Sequence, residues 1–468
     1  MSSVITRFTI LRVAVTLLGL LGAALAIFLL VHFDVYLQSL ARRIALAVMV
    51  AGGAMAVYAG LRYRVVAGLV VTASVSALGA LYLAETALWL MRPLEPAGPT
   101  FPAENAQSAL LQAAHREGRA VYPLANVTSL LEKGADGRRI PTTMLAGEPA
   151  LKLGGVSEST TLFFDETKSR WTEVSSDRYG HRNPDLVWDL APVDALVVGA
   201  SHVVGFAAAP DSDFVSLFGN DRKVARLGIG GISELFKLAM LREYGPLISP
   251  KIVYWAYSDR NDLQENLTAE LSTPTLSAYL DPGFRRDVAR HEAELSTQLR
   301  SQMRKKFTTQ DAVFAPNPTS HPIEWTRVAR LERLRLRVGL TGSPVPKANL
   351  LGWRQAMLVA RNSVAAWNGQ LVILYLPMIQ TLKSRRNDPV KVDIERILDE
   401  LDIPIVDMTP VFFRSAAPIS YFTMPDGALN NHYVESGHRL IAACLAWFFD
   451  RHVVLRSPVS ETCPAREQ

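Results

Sequence analysis

A chain of 468 residues is long for a single domain, and its net charge of +5 arises from scattered Lys and Arg with no interleaved aromatic platform, which argues against nucleic acid as a partner. Only two cysteines, Cys444 and Cys463, are present, so no disulfide framework is expected and stability must come from the core. No spaced His, Asp or Cys cluster calls for a metal ion.

The apolar residues concentrate at the N-terminus. Val13–Val31, Ile44–Leu61 and Val65–Leu83 are nearly unbroken apolar runs, each close to the ~20 residues a helix needs to cross a bilayer. They predict an anchor of three transmembrane helices within residues 1–92. Arg7 and Arg12 precede the first run, as in a signal peptide, but no small-residue cleavage site comes before the next span. Arg7, Arg12, Arg62 and Arg64 against Arg42, Arg43 and Arg92 favour an inside N-terminus. That topology gives a multi-pass protein of the inner membrane, with everything after Met91 on the periplasmic face. Glu85 falls near the outer end of the third span, where an interfacial carboxylate without a role is expected. Gly52, Gly53, Ala54, Ala56 and Gly60 suit close helix packing, either among the three spans or against an integral-membrane acyltransferase partner.

Pro93 to Pro102 reads as a linker, and residues 93–185 as linker and irregular segment packing on the domain C-terminal to it. Residues 186–455 alternate short apolar runs with amphipathic stretches, the α/β pattern of a buried parallel sheet. Strands are predicted at Ala195–Gly199, Val224–Leu227, Ile252–Tyr257, Leu371–Leu376 and Ile405–Val406. Helices are predicted near Phe214 and at Ser233–Arg242, Trp353–Trp367, Val390–Leu401 and Glu435–Phe449. A polar helical insertion covers about 264–350, and 456–468 is a tail. Arg304-Lys305-Lys306 and the helically spaced Arg327, Arg330, Arg333 and Arg337 read as a solvated face or as a contact for anionic lipid or glycan.

Right-handed crossovers put the C-terminal ends of such strands along one edge, where α/β sheets build their sites. Ser201 comes directly after the first strand in Gly199-Ala200-Ser201-His202. A serine nucleophile needs a base and donors for the oxyanion. His432, in the loop before the last helix, can serve as base. Gly231, after the second strand, can offer a backbone amide, and Asn261, after the third, a side-chain amide. Asn261-Asp262 taken alone is more simply a helix cap. The order of the four residues, at successive strand ends, is what joins them into one candidate site.

This set resembles the SGNH (GDSL-like) hydrolase family, over about Ser175 to Arg451. Gly199-Ala200-Ser201 is similar to its Gly-Asp-Ser block, Gly231 to its glycine, Asn261-Asp262 to its Asn-Asp pair, and His432 to its histidine. Ser176 to Asn183 and Leu374-Tyr375-Leu376-Pro377 also resemble family stretches. The resemblance implies a flavodoxin-like three-layer domain, a Ser201 nucleophile, a His432 base, and an oxyanion hole of Ser201, Gly231 and Asn261, with no cofactor and no metal. Ala200 departs from the family's aspartate. Leu429 stands where its acid belongs, leaving Asp426, further upstream, as the tentative third member of the triad. The implied substrates are short acyl esters, with acetyl groups on a cell-envelope polysaccharide suggested by the Gly-x-Ser-His form. An O-acetyltransferase using the same serine and a catalytically inactive glycan-binding or scaffold module are the competing readings.

Overall fold

The computed structural model describes residues 9–10, 13–20, 40–90, 105–134, 138–168, 170–259, 262–263, 265–309, 328, 331, 334, 345–385, 387–388, 390–454 and 463–464. Two compact units emerge, one of residues 1–95 with 318–344, the other of 96–317 with 345–468.

In the first unit, α1 (Leu40–Arg62) and α2 (Arg64–Leu90) are long helices. Among the described residues one helix, Val65–Leu88, is long and apolar enough to cross a membrane, where the sequence predicts three. The uncharged stretch of α1 runs only from Ile44 to Leu61, between Arg43 and Arg62, at the short end of the ~17–25 residues that spanning helices use. The first apolar run beyond Leu20 lies outside the described residues. Glu85, expected at an interface and without a role, is fully buried, and its Oε2 accepts a hydrogen bond from the Leu334 amide at 2.6 Å. Val328, Leu331 and Leu334, read from the sequence as part of the polar insertion, group with these helices.

In the second unit, β1 (Val121–Pro123), β2 (Thr160–Asp165) and β3 (Arg170–Ser175) form a small sheet in that order, with β1 parallel and β3 antiparallel to β2. It has no clear signature in the sequence. The first of these strands is three residues long, and the second is buried at every position but its first, so neither shows the alternation that marks a strand.

The main sheet comprises β4 (Ala195–Gly199), β5 (Val224–Gly228), β6 (Ile252–Ser258), β7 (Gln370–Leu376) and β8 (Ile405–Asp407). Each predicted strand is present with its ends within one residue. All pairings are parallel and the order is β8-β7-β6-β4-β5. Counted along the chain this is 2-1-3-4-5, the order of doubly wound sheets whose ligands bind beyond the carboxyl ends of the strands. The helices include α3 (Ser201–Val204), α4 (Phe214–Phe218), α5 (Glu234–Ile248), α6 (Glu292–Thr309), α7 (Lys347–Ala365), α8 (Lys391–Glu400) and α9 (Glu435–Phe448). Side chains alternate across the pleat. Val198, Trp255 and Tyr375 pack with α5, α7 and α8 on one face, and Val197, Tyr254 and Leu374 pack with α4 and α9 on the other.

The stretch Ser176 to Asn183 docks on the outer edge of this sheet. Asp177 gathers the amides of Tyr179 and His181 and the side chains of Asn183 and Trp188 at 2.8–2.9 Å. The Asn183 side chain then bonds both the N–H and the C=O of Arg226, at 2.8 and 2.9 Å, so an amide side chain takes the place of a neighbouring strand.

The two cysteines, expected to contribute no disulfide, are joined: buried Cys444 of α9 bonds to Cys463 across a sequence separation of 19. Cross-linking a loop of this size restricts the unfolded chain and contributes about 3 kcal/mol. Reduction, or Cys463→Ser, is therefore expected to lower the unfolding free energy by about 2–4 kcal/mol, measured by chemical denaturation monitored through tryptophan fluorescence with and without reductant.

Candidate active site

At the end of β4 the chain turns into α3. A Cβ on Gly199 would lie 2.4 Å from Val203 Cγ2 and 2.9 Å from Ala256 Cβ, so only glycine lets α3 start this close to the sheet. Ser201 is the first residue of that short helix, half-buried, and the amides of Val203 and Val204 both turn back to Ala200 O. The amides of Ser201 and His202 have no acceptor among the described residues, which is the normal condition of a helix N-terminus and leaves them free to bind an anionic oxygen. Gly205 ends the helix in the left-handed region at φ 93°, and a Cβ there would sit 2.8 Å from Asp213 Cβ.

Asp213 fixes this turn from behind. Fully buried, it caps α4 through the amides of Val215 and Ser216 and takes ion pairs from Arg182 and from Arg226, the latter at 2.9 Å. Although burial opposes its charge, the two guanidiniums hold its carboxyl well below the usual range.

His432 comes from the loop that leads into α9, and its Nε2 lies 2.9 Å from Ser201 Oγ. The imidazole stands edge-on to the rings of His202, at 5.1 Å, and Phe206, at 5.3 Å. Burial, with a smaller contribution from His438, pushes it down to about 4. It is therefore neutral near pH 7, as a general base must be. With Nε2 accepting from the serine hydroxyl, its proton resides on Nδ1. Among the described residues no carboxylate bonds that nitrogen.

Asp426, the expected acid, is exposed at the tip of a tight turn, where its Oδ1 accepts from the Ala428 amide at 2.9 Å. Bonds between Met424 and Ala428, with Gly427 at φ 85°, close that turn, and among the described residues no hydrogen bond joins Asp426 to His432.

Gly231 lies three residues beyond Gly228, which pairs in register with Gly199. Its φ of 78° and the approach of Val127 Cγ1, 3.0 Å from where a Cβ would stand, require glycine. Its amide, like that of Ser201, has no acceptor among the described residues. Asn261 lies outside the described residues. Its neighbour Asp262 folds back on β6, accepting from Ser258 N–H at 2.8 Å and from the fully buried Lys237 at 2.6 Å. Lys237 also bonds Glu234 at 2.7 Å and Ala256 O at 2.9 Å, which ties α5 to the loop after β6.

Other residues in this region carried no usable sequence signal. His438 in α9 accepts from Phe214 N–H through Nδ1, at 3.2 Å, and faces Phe206 O through Nε2, at 3.3 Å. His202 is buried with Nε2 3.4 Å from Met378 Sδ, and burial keeps it well below the ordinary histidine range. Asn430 accepts from the His432 amide at 2.9 Å and donates to Glu166, a residue of the β2–β3 turn. Two cavities in this unit, of about 20 and about 610 Å³, are lined by neither Ser201 nor His432.

No family model matches the chain, and no curated protein matches it. Among solved structures, a two-domain esterase active on acetylated mannans, co-crystallised with mannopentaose, is similar at a TM-score of 0.29 and 12% identity, over 60% of this chain and 55% of that one. The chain thus spans about half that esterase's length.

Because Asp426 bonds the Ala428 amide and, among the described residues, makes no bond to His432, Asp426→Ala is expected to leave the reactivity of Ser201 toward a fluorophosphonate probe within about twofold of wild type, measured as the labelling rate.

Proposed function

We propose that this chain is a membrane-anchored serine esterase of the SGNH type that removes short acyl groups, acetyl foremost, from cell-envelope glycans. The 2.9 Å hydrogen bond between Ser201 Oγ and His432 Nε2, at the carboxyl edge of a parallel sheet ordered 2-1-3-4-5, is the observation that carries this reading.

In this mechanism Ser201 Oγ attacks the acyl carbon while His432 Nε2 takes its proton, and the carbonyl π pair moves onto oxygen. The amides of Ser201 and Gly231 hold that oxyanion, with Asn261 as the third donor. Collapse of the intermediate expels the alcohol, which recovers the proton from His432, and leaves an acyl-serine. Water, deprotonated by His432, then attacks; the acid leaves and Ser201 Oγ is reprotonated. A sugar hydroxyl in place of that water turns the same chemistry into O-acetyl transfer. With no carboxylate at Nδ1 among the described residues, turnover slower than that of a complete triad is expected, since nothing charged stabilises the imidazolium.

A half-buried serine at the rim of the sheet suits a small acyl group on a bulky alcohol. The apolar Val65–Leu88 helix supports an anchor in the bilayer, and the other apolar runs of residues 1–92 support a multi-pass one. The Cys444–Cys463 disulfide supports an oxidising, extracytoplasmic location for the catalytic unit.

Fluorophosphonate labelling and p-nitrophenyl acetate turnover test the dyad. Both are expected to vanish in Ser201→Ala, and turnover to fall about 10²–10⁴-fold in His432→Ala; an unlabelled, inactive wild type would leave a glycan-binding module as the better reading. The pH dependence carries the electrostatics. With His432 at about 4, kcat/KM is expected to stay level from pH 8 down to about 5 and to drop as the base is protonated through its own pKa. A midpoint near the ordinary ~6.5 would show that the imidazole is solvated.

A further inference from the structure

Among the described residues no carboxylate meets His432 Nδ1, so other contacts must hold the ring against Ser201. The His432 backbone amide is bound by Asn430 Oδ1 at 2.9 Å, and the other end of the same side chain, Asn430 Nδ2, donates to Glu166 Oε2. Glu166 is buried, and so is Asn430. The backbone amide of Ala207 also lies against the Glu166 carboxylate. Ala207 sits two residues past the glycine that ends the nucleophile helix, fully buried at φ 59°, a left-handed conformation that a non-glycine residue keeps only when its surroundings enforce it.

The turn that presents Glu166 is itself fixed. Asp165 Oδ1 accepts from the amides of Thr167 and Lys168, at 3.1 and 3.3 Å. Two residues before Asp165, Phe163 stacks on Phe206 with ring centroids 6.0 Å apart, and the Arg182 guanidinium lies 5.3 Å over the Phe163 ring. One carboxylate from outside the main sheet therefore touches both halves of the dyad: the segment after Ser201 through Ala207, and the loop of His432 through Asn430.

We propose that Glu166 is the positioning residue of the Ser201–His432 pair, holding His432 through the Asn430 side chain and the chain after Ser201 through Ala207. This rests on the serine-esterase reading, and the experiment separates the two. The full chain, solubilised in detergent, is compared as wild type, Glu166→Ala, Glu166→Gln, Asn430→Asp and the double variant Glu166→Gln/Asn430→Asp. The double variant reverses the polarity of the bond: an amide at 166 donates to a carboxylate at 430, whose other oxygen still accepts the His432 amide.

The labelling rate with a fluorophosphonate and kcat for p-nitrophenyl acetate are both expected to fall by on the order of 10–100-fold in Glu166→Ala, the scale of a misplaced catalytic group, with KM within about twofold and the thermal midpoint within a few degrees of wild type. Glu166→Gln alone is expected to lose less, Asn430→Asp alone, which sets two buried carboxylates against each other, to lose at least as much, and the double variant to recover most of the loss. A purely structural role would instead make loss of activity track loss of thermal stability, with no recovery in the double variant. That result overturns the proposal, as does wild-type labelling in Glu166→Ala; either leaves the dyad standing. A wild type that neither labels nor turns over removes the dyad, and the proposal with it.

Discussion

A buried carboxylate governs the geometry of this site. Asp213 has no access to solvent, and a charge in that position is tolerated only with partners of opposite sign and with its remaining lone pairs bonded. Arg182 reaches it from the stretch ahead of the sheet, Arg226 from β5, and the first amides of α4 from its own helix. Gly205 packs directly against its Cβ position, so the reversal of the chain after Ser201 is set by where Asp213 can be neutralised. Removing one arginine would leave the carboxylate paired with the other but would unbind one of its oxygens, at a cost of about 1–3 kcal/mol, and would loosen the turn that follows Ser201.

The histidines show the opposite solution. His181, His202, His432 and His438 are all pushed below the ordinary range, burial being the largest cause in each. A neutral imidazole is a weakly polar flat ring, and two of the four serve as such beside the one that faces Ser201: His202 as a wall and His438 as a hydrogen-bond bridge. His438 illustrates the economy of this, since it joins Phe214 to Phe206 across the same segment that Asp213 secures. Neutral neighbours also spare His432 the repulsion that a second imidazolium would exert while it holds the serine proton.

The main sheet was legible because parallel strands buried on both faces read as continuous apolar runs, and Ala195–Gly199 and Ile252–Ser258 are buried at every residue. The Ser201–His432 pairing was legible because one residue follows such an element and the other precedes a clear helix. Other parts had no local signature. Glu166 and Asn430 meet across 264 positions, and neither residue type stands out in its own segment. The disulfide was missed because one cysteine lies in a helix and its partner in a tail, a spacing that resembles no framework. Counting positions back from His432 takes no account of the turn between them, in which Asp426 accepts from the Ala428 amide. Of the three apolar runs, one stands as a helix long and apolar enough to cross a membrane among the described residues, and most of the first run lies outside them.

The Asn183 side chain, paired with both backbone groups of Arg226, has a bearing on where this protein can be divided. The sheet begins at Ala195, and its composition invites a cut just ahead of that strand. Such a fragment would begin with β5 unpaired on its outer side, offering a bare row of amides and carbonyls to any other chain, and would carry Asp213 with one of its two counter-charges missing. The compact unit therefore takes in the small sheet as well, and Ser176 to Asn183 belongs to the fold that carries Ser201.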